Sequence, residues 1–309
     1  MSAAPRVKPE EFFTPVEWAE VSARSRFKGP ALLLHCWAVI AAAIATGVAW
    51  PLTIPLMVMV IGTRQLGLFI LLHDNAHGLL HPDRRMNDWA AKWFGGAELD
   101  AYRPYHLQHH RFVQQTEDPD LVLSAPFPIT PASLKRKIWR DLSGQTFTKQ
   151  RFGPLLGKLK NREAGQGAFA LIGLEVKSQR VFLLTNSVGF ALFAAAGLWW
   201  AWLLMWLLPM ATWLPLVTRL RNIAEHALVA ENNADPLRHA RTTQANLIER
   251  ALLAPYWVNY HGEHHMFTQI PCWHLRKAHR ILASTGITAR MEVQSSYPAV
   301  LRLAASLKA

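Results

Sequence analysis

The sequence has few cysteines and, over two long stretches, no charged residue at all. Its 309 residues include only two cysteines, Cys36 and Cys272, so a disulfide framework of the kind found in small secreted domains is not expected. Asp, Glu, Lys and Arg are absent from residues 31–63 and from residues 181–218. Uncharged apolar stretches of this length are too long for soluble core helices and indicate a membrane protein.

Acidic residues are outnumbered by basic ones. The 33 Lys and Arg against 21 Asp and Glu give a formal net charge of +12, carried outside the two uncharged stretches. A basic surface suits anionic lipid headgroups and acidic electron-transfer proteins. We expect no nucleic-acid partner, because the sequence has no recognised binding motif and much of it would lie in the bilayer. Residues 1–11 contain charges and prolines without a short apolar core, so no cleavable signal peptide is predicted.

The apolar stretches predict four membrane crossings. The first run extends, apart from Arg64, over residues 31–72, roughly twice the 20 residues that cross a bilayer, with Trp50-Pro51 near its midpoint. The second run, 181–218, again has room for two helices, with a turn around residues 197–202. We therefore expect crossings at about residues 31–50, 52–72, 181–198 and 200–218.

Other elements are predicted on the membrane surface. Thr14-Pro15-Val16-Glu17 combines an N-cap Thr, a Pro at the first helical position and a Glu three residues after the cap, so a helix should run from there to about residue 26. Residues 131–151 mix apolar and basic side chains and predict a second amphipathic helix. Residues 153–167 are rich in Gly and Lys and predict a loop.

Histidine is concentrated in four short motifs. His73 and His77 lie four residues apart, so on a helix they share one face and can bind one metal. The same pattern returns as H-x-x-H-H at residues 106–110 and 261–265, and as an Asn four residues before His226. With 14 histidines in 309 residues, a given H-x-x-H-H pattern is expected roughly 0.03 times by chance, so two copies indicate a function.

The motifs supply nine imidazoles, more than one metal ion needs. A zinc site uses about four ligands, so nine histidines indicate two metals of higher coordination with open positions for a small molecule. An imidazole-rich set suits iron, copper, zinc or nickel and does not select among them. Carboxylates are absent from the ligand faces, but Asp74, Glu225 and Glu263 lie next to them and could orient imidazole N–H groups. The candidate ligands are His73, His77, His106, His109, His110, His226, His261, His264 and His265, with Asn222 as a further participant.

Four crossings return both termini to one side of the membrane. The basic segments 73–180 and 219–309 lie on that side while both far-side turns are uncharged, so the positive-inside rule places the termini and the histidine motifs in the cytoplasm. The expected protein is integral to a membrane, the inner membrane of a bacterium. Its predicted fold class is all-α, with four transmembrane helices and a cytosolic helical cap that carries the histidine motifs.

The motifs resemble the three histidine boxes of the membrane fatty-acid desaturase family. The boxes are H-D-N-A-H from residue 73, H-L-Q-H-H from residue 106 followed by Asp118-Pro119-Asp120, and N-Y-H-G-E-H-H from residue 259; N-I-A-E-H resembles the family's Asn-x-x-x-His. The similarity covers roughly residues 35–285. It implies a non-haem centre of two iron ions on the cytosolic face, ligated by the nine histidines, with Asn222 holding a metal-bound water. The chain then divides into an N-terminal tail with an interfacial helix (1–30), a desaturase-like membrane domain (31–285) and a C-terminal cytosolic tail (286–309).

The resemblance implies an oxidoreductase that uses O2 and two electrons from a partner protein to remove hydrogen from an unactivated C–H bond. A second hydrogen removal gives an alkene, whereas oxygen transfer gives an alcohol or, after repetition, a ketone. The third box begins with His261, where desaturases fused to cytochrome b5 usually have Gln, and no His-Pro-Gly-Gly haem motif is present. A separate electron donor is therefore implied, a ferredoxin or a free cytochrome of the b5 type.

We interpret the chain as a desaturase acting on a fatty-acyl chain in a lipid. A carotenoid ketolase or hydroxylase, or another lipid hydroxylase, has similar boxes and is the alternative within the same chemistry. A membrane metal-binding or transport protein is the alternative from another class, but the crossings contain almost none of the polar residues that a transporter needs.

Residues outside the boxes have less specific assignments. Arg64 lies two and a half turns before His73 on the predicted helix, and could bind a polar group of the substrate or form a structural ion pair, with neither favoured. Asp118 and Asp120 could align histidines or shape the turn that contains them, and we favour alignment. Five histidines are expected to be structural or on the surface: His35, His81, His239, His274 and His279.

Overall fold

The computed structural model describes residues 3–95, 98–163, 166–229 and 235–308, most of them helical. The helices are, in chain order, α1 (Pro15–Val21), α2 (Lys28–Ala49), α3 (Ile54–Ala76), α4 (Arg84–Phe94), α5 (Leu99–Phe112), α6 (Leu121–Ser124), α7 (Pro131–Leu142), α8 (Gln145–Lys160), α9 (Ala168–Ser178), α10 (Arg180–Ala195), α11 (Trp199–Trp202), α12 (Leu208–Ala211), α13 (Trp213–His226), α14 (Leu247–Leu252), α15 (His261–Met266), α16 (Cys272–Ser284) and α17 (Tyr297–Ala304). A π-helical turn, Leu203–Leu207, joins α11 to α12. Two short strands, β1 (Arg241–Thr243) and β2 (Glu292–Gln294), pair in parallel and are the exception to the predicted all-α fold.

Helix α3 is the centre of the fold. It pairs with α2 through the predicted Trp50-Pro51 turn, where a 3-10 turn leads from one helix into the other. Every residue of its second half, 61–76, is buried except Phe69. Two glycines let aromatic neighbours approach its backbone: an added Cβ would lie 2.8 Å from Trp213 at Gly62 and 2.7 Å from the Tyr256 ring at Gly67. Packing on all sides therefore fixes the end of α3 that carries the first histidine box.

Among the described residues, three helical segments are long and apolar enough to cross a membrane, judged by length and composition: Lys28–Ala49, Pro51–Ala76 and Trp199–His226. They correspond to three of the four predicted crossings. The predicted crossing at 181–198 corresponds to α10, which is apolar but has only 16 residues, fewer than the ~20 that span a bilayer. The turn expected after it is present, and Gly197 there has a φ of 72°. A fourth crossing stays a prediction.

The structure confirms the predicted start of the first surface helix and corrects the predicted loop at residues 153–167. Helix α1 begins with the expected capping box, in which Thr14 and Glu17 each accept a hydrogen bond from the other's backbone N–H. The predicted loop at 153–167 is wrong over its first half, because α8 continues through Gly153 and Pro154 to Lys160. Apolar side chains of α8 and α9 line a shared groove, and this packing outweighs the low helix propensity of Gly and Pro. Residues 164 and 165 of that loop lie outside the described residues.

Both segments expected to be tails pack on the rest of the fold. Near the N-terminus, the Ala4 N–H donates to the Arg111 carbonyl at 2.8 Å, and the Phe13 ring lies 4.9 Å from that of Phe267. Near the C-terminus, β2 joins β1, and α17 buries Tyr297. These contacts join the two segments to distant parts of the chain, so local sequence patterns do not reveal them.

A buried ion pair fastens α7 to α13. The Asp141 carboxylate is fully buried and accepts hydrogen bonds of 2.5 and 2.9 Å from Arg219. We expect Asp141→Ala to lower the free energy of unfolding by about 2 kcal/mol, because it leaves a partly buried guanidinium without its carboxylate. The measurement is the midpoint of thermal unfolding of the purified protein in detergent.

The exposed pair of Lys92 and Asp100 supplies the control, since its side chains are 51% and 74% exposed. Asp100→Ala should change the free energy of unfolding by less than about 1 kcal/mol. Equal midpoints for the two variants would contradict a stabilising role for the buried pair.

Candidate metal centre

The nine box histidines reach one place from four helices. His73 lies in the last turn of α3, and His77 directly follows that helix. Three more lie on α5 and three on α15, while His226 is the last residue of α13. Seven of the nine are buried, and His77 and His265 are partly buried. The four helices therefore converge with their imidazoles directed inward.

The imidazoles form two groups, within each of which the candidate ligand atoms lie no more than 4.8 Å apart. The first group, called the five-histidine group, is His73, His77, His106, His110 and His264; the second, called the four-histidine group, is His109, His226, His261 and His265. The groups adjoin, since the ring centroids of His110 and His265 are 4.2 Å apart. The other five histidines belong to neither group.

Each H-x-x-H-H box is divided between the two groups. His106 and His110, one turn apart, enter the five-histidine group, whereas His109 enters the other. The third box does the reverse and gives only His264 to the five-histidine group. Helical geometry explains this division, because a step of four residues turns the side chain about 40° past a full circle whereas a step of three stops about 60° short.

The state of the ring nitrogens fits metal binding. Nε2 of His73 is buried and has no hydrogen-bond partner among the described residues. Facing Nε2 atoms approach to 2.8 Å between His77 and His106 and to 3.1 Å between His264 and His110. Burial lowers the pKa of His77 to about 3 and holds the pKa of His106 and His264 well below the usual range. Neutral rings with lone pairs directed at a common centre are suited to bind a metal, and the donor set suits iron, copper, zinc or nickel.

Asp118 orients one of the candidate ligands, His109. Its Oδ1 lies 2.8 Å from Nδ1 of His109 and also accepts the N–H of Asp120, while its Oδ2 accepts the N–H of Gln114. Because Nδ1 then carries the proton, the other nitrogen of His109 is left free to bind a metal. Asp120 lies farther away, with Oδ2 3.8 Å from the same nitrogen, and it accepts a hydrogen bond from the Tyr105 hydroxyl.

Two other carboxylates next to the boxes have different partners. Asp74 accepts the backbone N–H of Cys272 at 2.8 Å, and its second oxygen is 3.7 Å from Nδ1 of His73, beyond hydrogen-bond distance. Glu263 lies 2.6 Å from Nδ1 of His279, a histidine outside both groups. Asp74 therefore ties α3 to the start of α16, and Glu263 ties α15 to the same helix.

Glu225 and Asn222 lie on the last turns of α13. The Glu225 carboxylate is 3.4 Å from Nε2 of His261, the nitrogen that faces the other imidazoles, and it forms an ion pair with Arg221 at 2.6 Å. The Glu225 carboxylate therefore approaches the nitrogen of His261 that would face a metal. The sequence predicts instead that this carboxylate orients an imidazole through the N–H on the other side of the ring. Asn222 is partly buried one turn before His226, on the helix that serves the four-histidine group.

Three contacts to the centre were not predicted. The Tyr102 ring stacks on His106, with centroids 5.4 Å apart and planes 7° from parallel. The Gln114 amide donates to the carbonyl of His226 at 3.2 Å, and Arg241 donates to backbone carbonyls at the end of α13. Only the first had a sequence signal, since Tyr102 lies four residues before His106; the others join distant segments.

Comparison with known proteins bears on the same residues. The profile of the fatty acid desaturase family matches residues 49–294. Dihydrorhizobitoxine desaturase from Bradyrhizobium elkanii is 32% identical over 248 residues, which cover 74% of this chain and 67% of that protein. The family match extends over all four helices that supply the histidines.

Metal binding by the four-histidine group should depend on Asp118. In Asp118→Asn the anionic acceptor of the His109 Nδ1–H is lost and the ligand becomes less basic, so we expect metal affinity to fall by about 10- to 100-fold. Metal per chain, measured after dialysis against graded chelator, reports this change. Asp100→Asn, an exposed position on the same helix as His109, is the control. Identical chelator curves for both variants would remove Asp118 from the site.

Proposed function

The chain belongs to the fatty acid desaturase family, and from this premise we propose that it uses two iron ions, O2 and two external electrons to introduce a double bond into a fatty-acyl chain of a membrane lipid. The family match and the 32% identical relative support an oxidoreductase of the desaturase or hydroxylase type. The observation that supports the proposal most is the pair of adjoining histidine groups, with five and four imidazoles. Two separate groups match two metals, one in each.

Iron bound in both groups would supply the activation of O2 and the removal of hydrogen from an unactivated C–H bond. The chain's own residues hold the site. His109 is fixed by Asp118, and His106 by its stacking with Tyr102. Burial of most of the imidazoles keeps water from competing for them. Asn222, on the same helix as His226, is proposed as a polar partner on the four-histidine side.

Double-bond formation is favoured over oxygen transfer by one observation, the name of the relative, which specifies desaturation. The same name specifies dihydrorhizobitoxine as the substrate of that protein. A fatty-acyl substrate for this chain is supported instead by its family and by its three apolar segments of membrane-crossing length. Hydroxylation or ketolation by the same centre is the alternative reaction.

The membrane arrangement and the electron donor complete the proposal. We infer four crossings, with α10 as the third, and both termini and the histidine groups on the cytoplasmic side of a bacterial inner membrane. The support is the basic charge of the segments outside the apolar stretches. A basic surface also suits an acidic ferredoxin or a cytochrome of the b5 type as the electron donor.

The function can be tested by expression in a host that is supplied with a reductase and a ferredoxin. Mass spectrometry of total lipids and of small polar metabolites then identifies the product, and elemental analysis of the purified protein counts its metal. Two irons per chain and a product two hydrogens lighter than its precursor are expected. A product gaining oxygen would replace desaturation by hydroxylation, and one zinc per chain would contradict the di-iron proposal.

Removing one imidazole from either group should abolish the reaction. His109→Ala takes a ligand from the four-histidine group and His264→Ala takes one from the five-histidine group, so each should leave no detectable product and lower the bound iron. Membrane insertion should be unchanged, because neither residue lies in an apolar crossing segment.

His81→Ala is the matched control, since this histidine lies close to the first box but outside both groups. Its Nδ1 accepts the backbone N–H of Asp83 at 3.0 Å, so its role is local. Wild-type iron content and product are expected for it. Full activity of either His109→Ala or His264→Ala would remove that residue from the set of ligands.

A further inference from the structure

A cavity away from the candidate metal centre lies where α2, α3 and the segment 247–257 meet. It has a volume of about 550 Å³. Its polar lining comes from His35 on α2, Arg64 on α3 and Arg250 on α14. Arg64 lies nine residues before His73, about 13.5 Å along the helix and half a turn around it, so the two side chains leave opposite faces of α3. The cavity is therefore separate from the metal centre.

The charge of Arg64 has no counterion in the described part of the chain. Its side chain is 9% exposed, and one of its N–H groups donates to the carbonyl of Ala251 at 3.2 Å. No described carboxylate lies within ion-pair distance of Arg64 or of Arg250. A guanidinium has five N–H donors, so several remain available at Arg64. A buried cation in a membrane-crossing segment is costly and is a functional candidate for that reason.

The backbone beside this cavity is strained in a way that positions Arg64. Tyr256 and Trp257 have φ values of 53° and 58°, a left-handed conformation that costs bulky residues of order 1–3 kcal/mol each. The Tyr256 ring sits against Gly67, and its hydroxyl lies 3.1 Å from Nδ1 of His35. The guanidinium of Arg64 lies over this ring at 5.5 Å. The strained turn thus holds the arginine at the cavity.

The remaining wall of the cavity is apolar. Val39 and Val60, on the two membrane-crossing helices, line it below the cations. Beside it, Leu247 and Ile248 on α14 are 80% and 71% exposed, which suits the interface of a bilayer and not water. A ligand that is complementary to both the basic and the apolar lining carries an anionic group at one end and an apolar chain at the other.

We propose that this cavity binds an anionic membrane phospholipid, with its phosphate against Arg64 and Arg250 and its acyl chains along Val39 and Val60. Arginine is suited to this role because its planar fork binds phosphate oxygens in pairs. The apolar wall gives the lipid an advantage over free phosphate. The site does not depend on the proposed reaction, because its ligand is held on the other face of α3.

The test uses the full-length protein, purified in detergent and stripped of lipid, with binding followed by native mass spectrometry. Phosphatidylglycerol should bind more tightly than phosphatidylcholine, which has the same phosphate but no net charge. Arg250→Gln should weaken phosphatidylglycerol binding by about fivefold, the contribution of one arginine near an anionic headgroup. Arg250 has no described ion-pair partner, so its replacement leaves the fold intact, and Arg64→Gln should weaken binding at least as much.

Arg302→Gln is the matched control, an exposed arginine on α17. It should leave the affinity for phosphatidylglycerol unchanged. Equal affinity of the wild type and Arg250→Gln, or equal affinity for the two lipids, would overturn the proposal. Displacement of the lipid by millimolar inorganic phosphate would identify a phosphate site in its place.

Discussion

The structure depends on bringing nine imidazoles, seven of them buried, into one small volume. A buried ring nitrogen without a partner costs free energy, and protonated rings at these distances would repel one another. The arrangement is stable only if the rings are neutral and their lone pairs are used. The two groups are coupled, because α5 and α15 each supply histidines to both of them and the rings of His110 and His265 stack across the boundary. The capacity to bind metal therefore depends on how the four helix ends pack against one another.

Polar contacts around the histidines hold these helix ends in place. Asp74 binds the N–H of Cys272, so the end of α3 and the start of α16 stay together. Arg241 caps carbonyls at the end of α13, next to His226. On the outer side, the Arg219 ion pair holds the same helix to α7. Most of these contacts join residues far apart in sequence, so each one limits how far the converging helix ends can move.

Local patterns in the sequence predicted what depends on local geometry. The i, i+4 spacing of His73 and His77 predicted a shared face, and the cap at Thr14 predicted a helix start that the structure confirms. Helical spacing separates His109 from its neighbours in the box, but the group that each histidine enters was not predictable, because it depends on which distant helix lies opposite. The same holds for Gln114, whose partner is 112 residues away, and for α8, where packing on α9 overrides Gly153. Long-range packing accounts for each of these differences.

Helix α3 carries polar and charged residues that an apolar membrane helix normally lacks, and these residues lie at the two candidate binding sites. A crossing helix avoids charge, yet α3 contains a buried arginine halfway along and histidines at its end. Neither departure contributes to the apolar packing of the helix, and each is costly unless something binds to it. For the histidines, metals bound on one face would supply this compensation. Arg64, on the opposite face, contacts a backbone carbonyl and the side chain of Tyr256, and no carboxylate in the described part of the chain forms an ion pair with it. The same reasoning that favours metals at the histidines favours an anion at Arg64, and the apolar wall beside it favours an anion carried by a lipid.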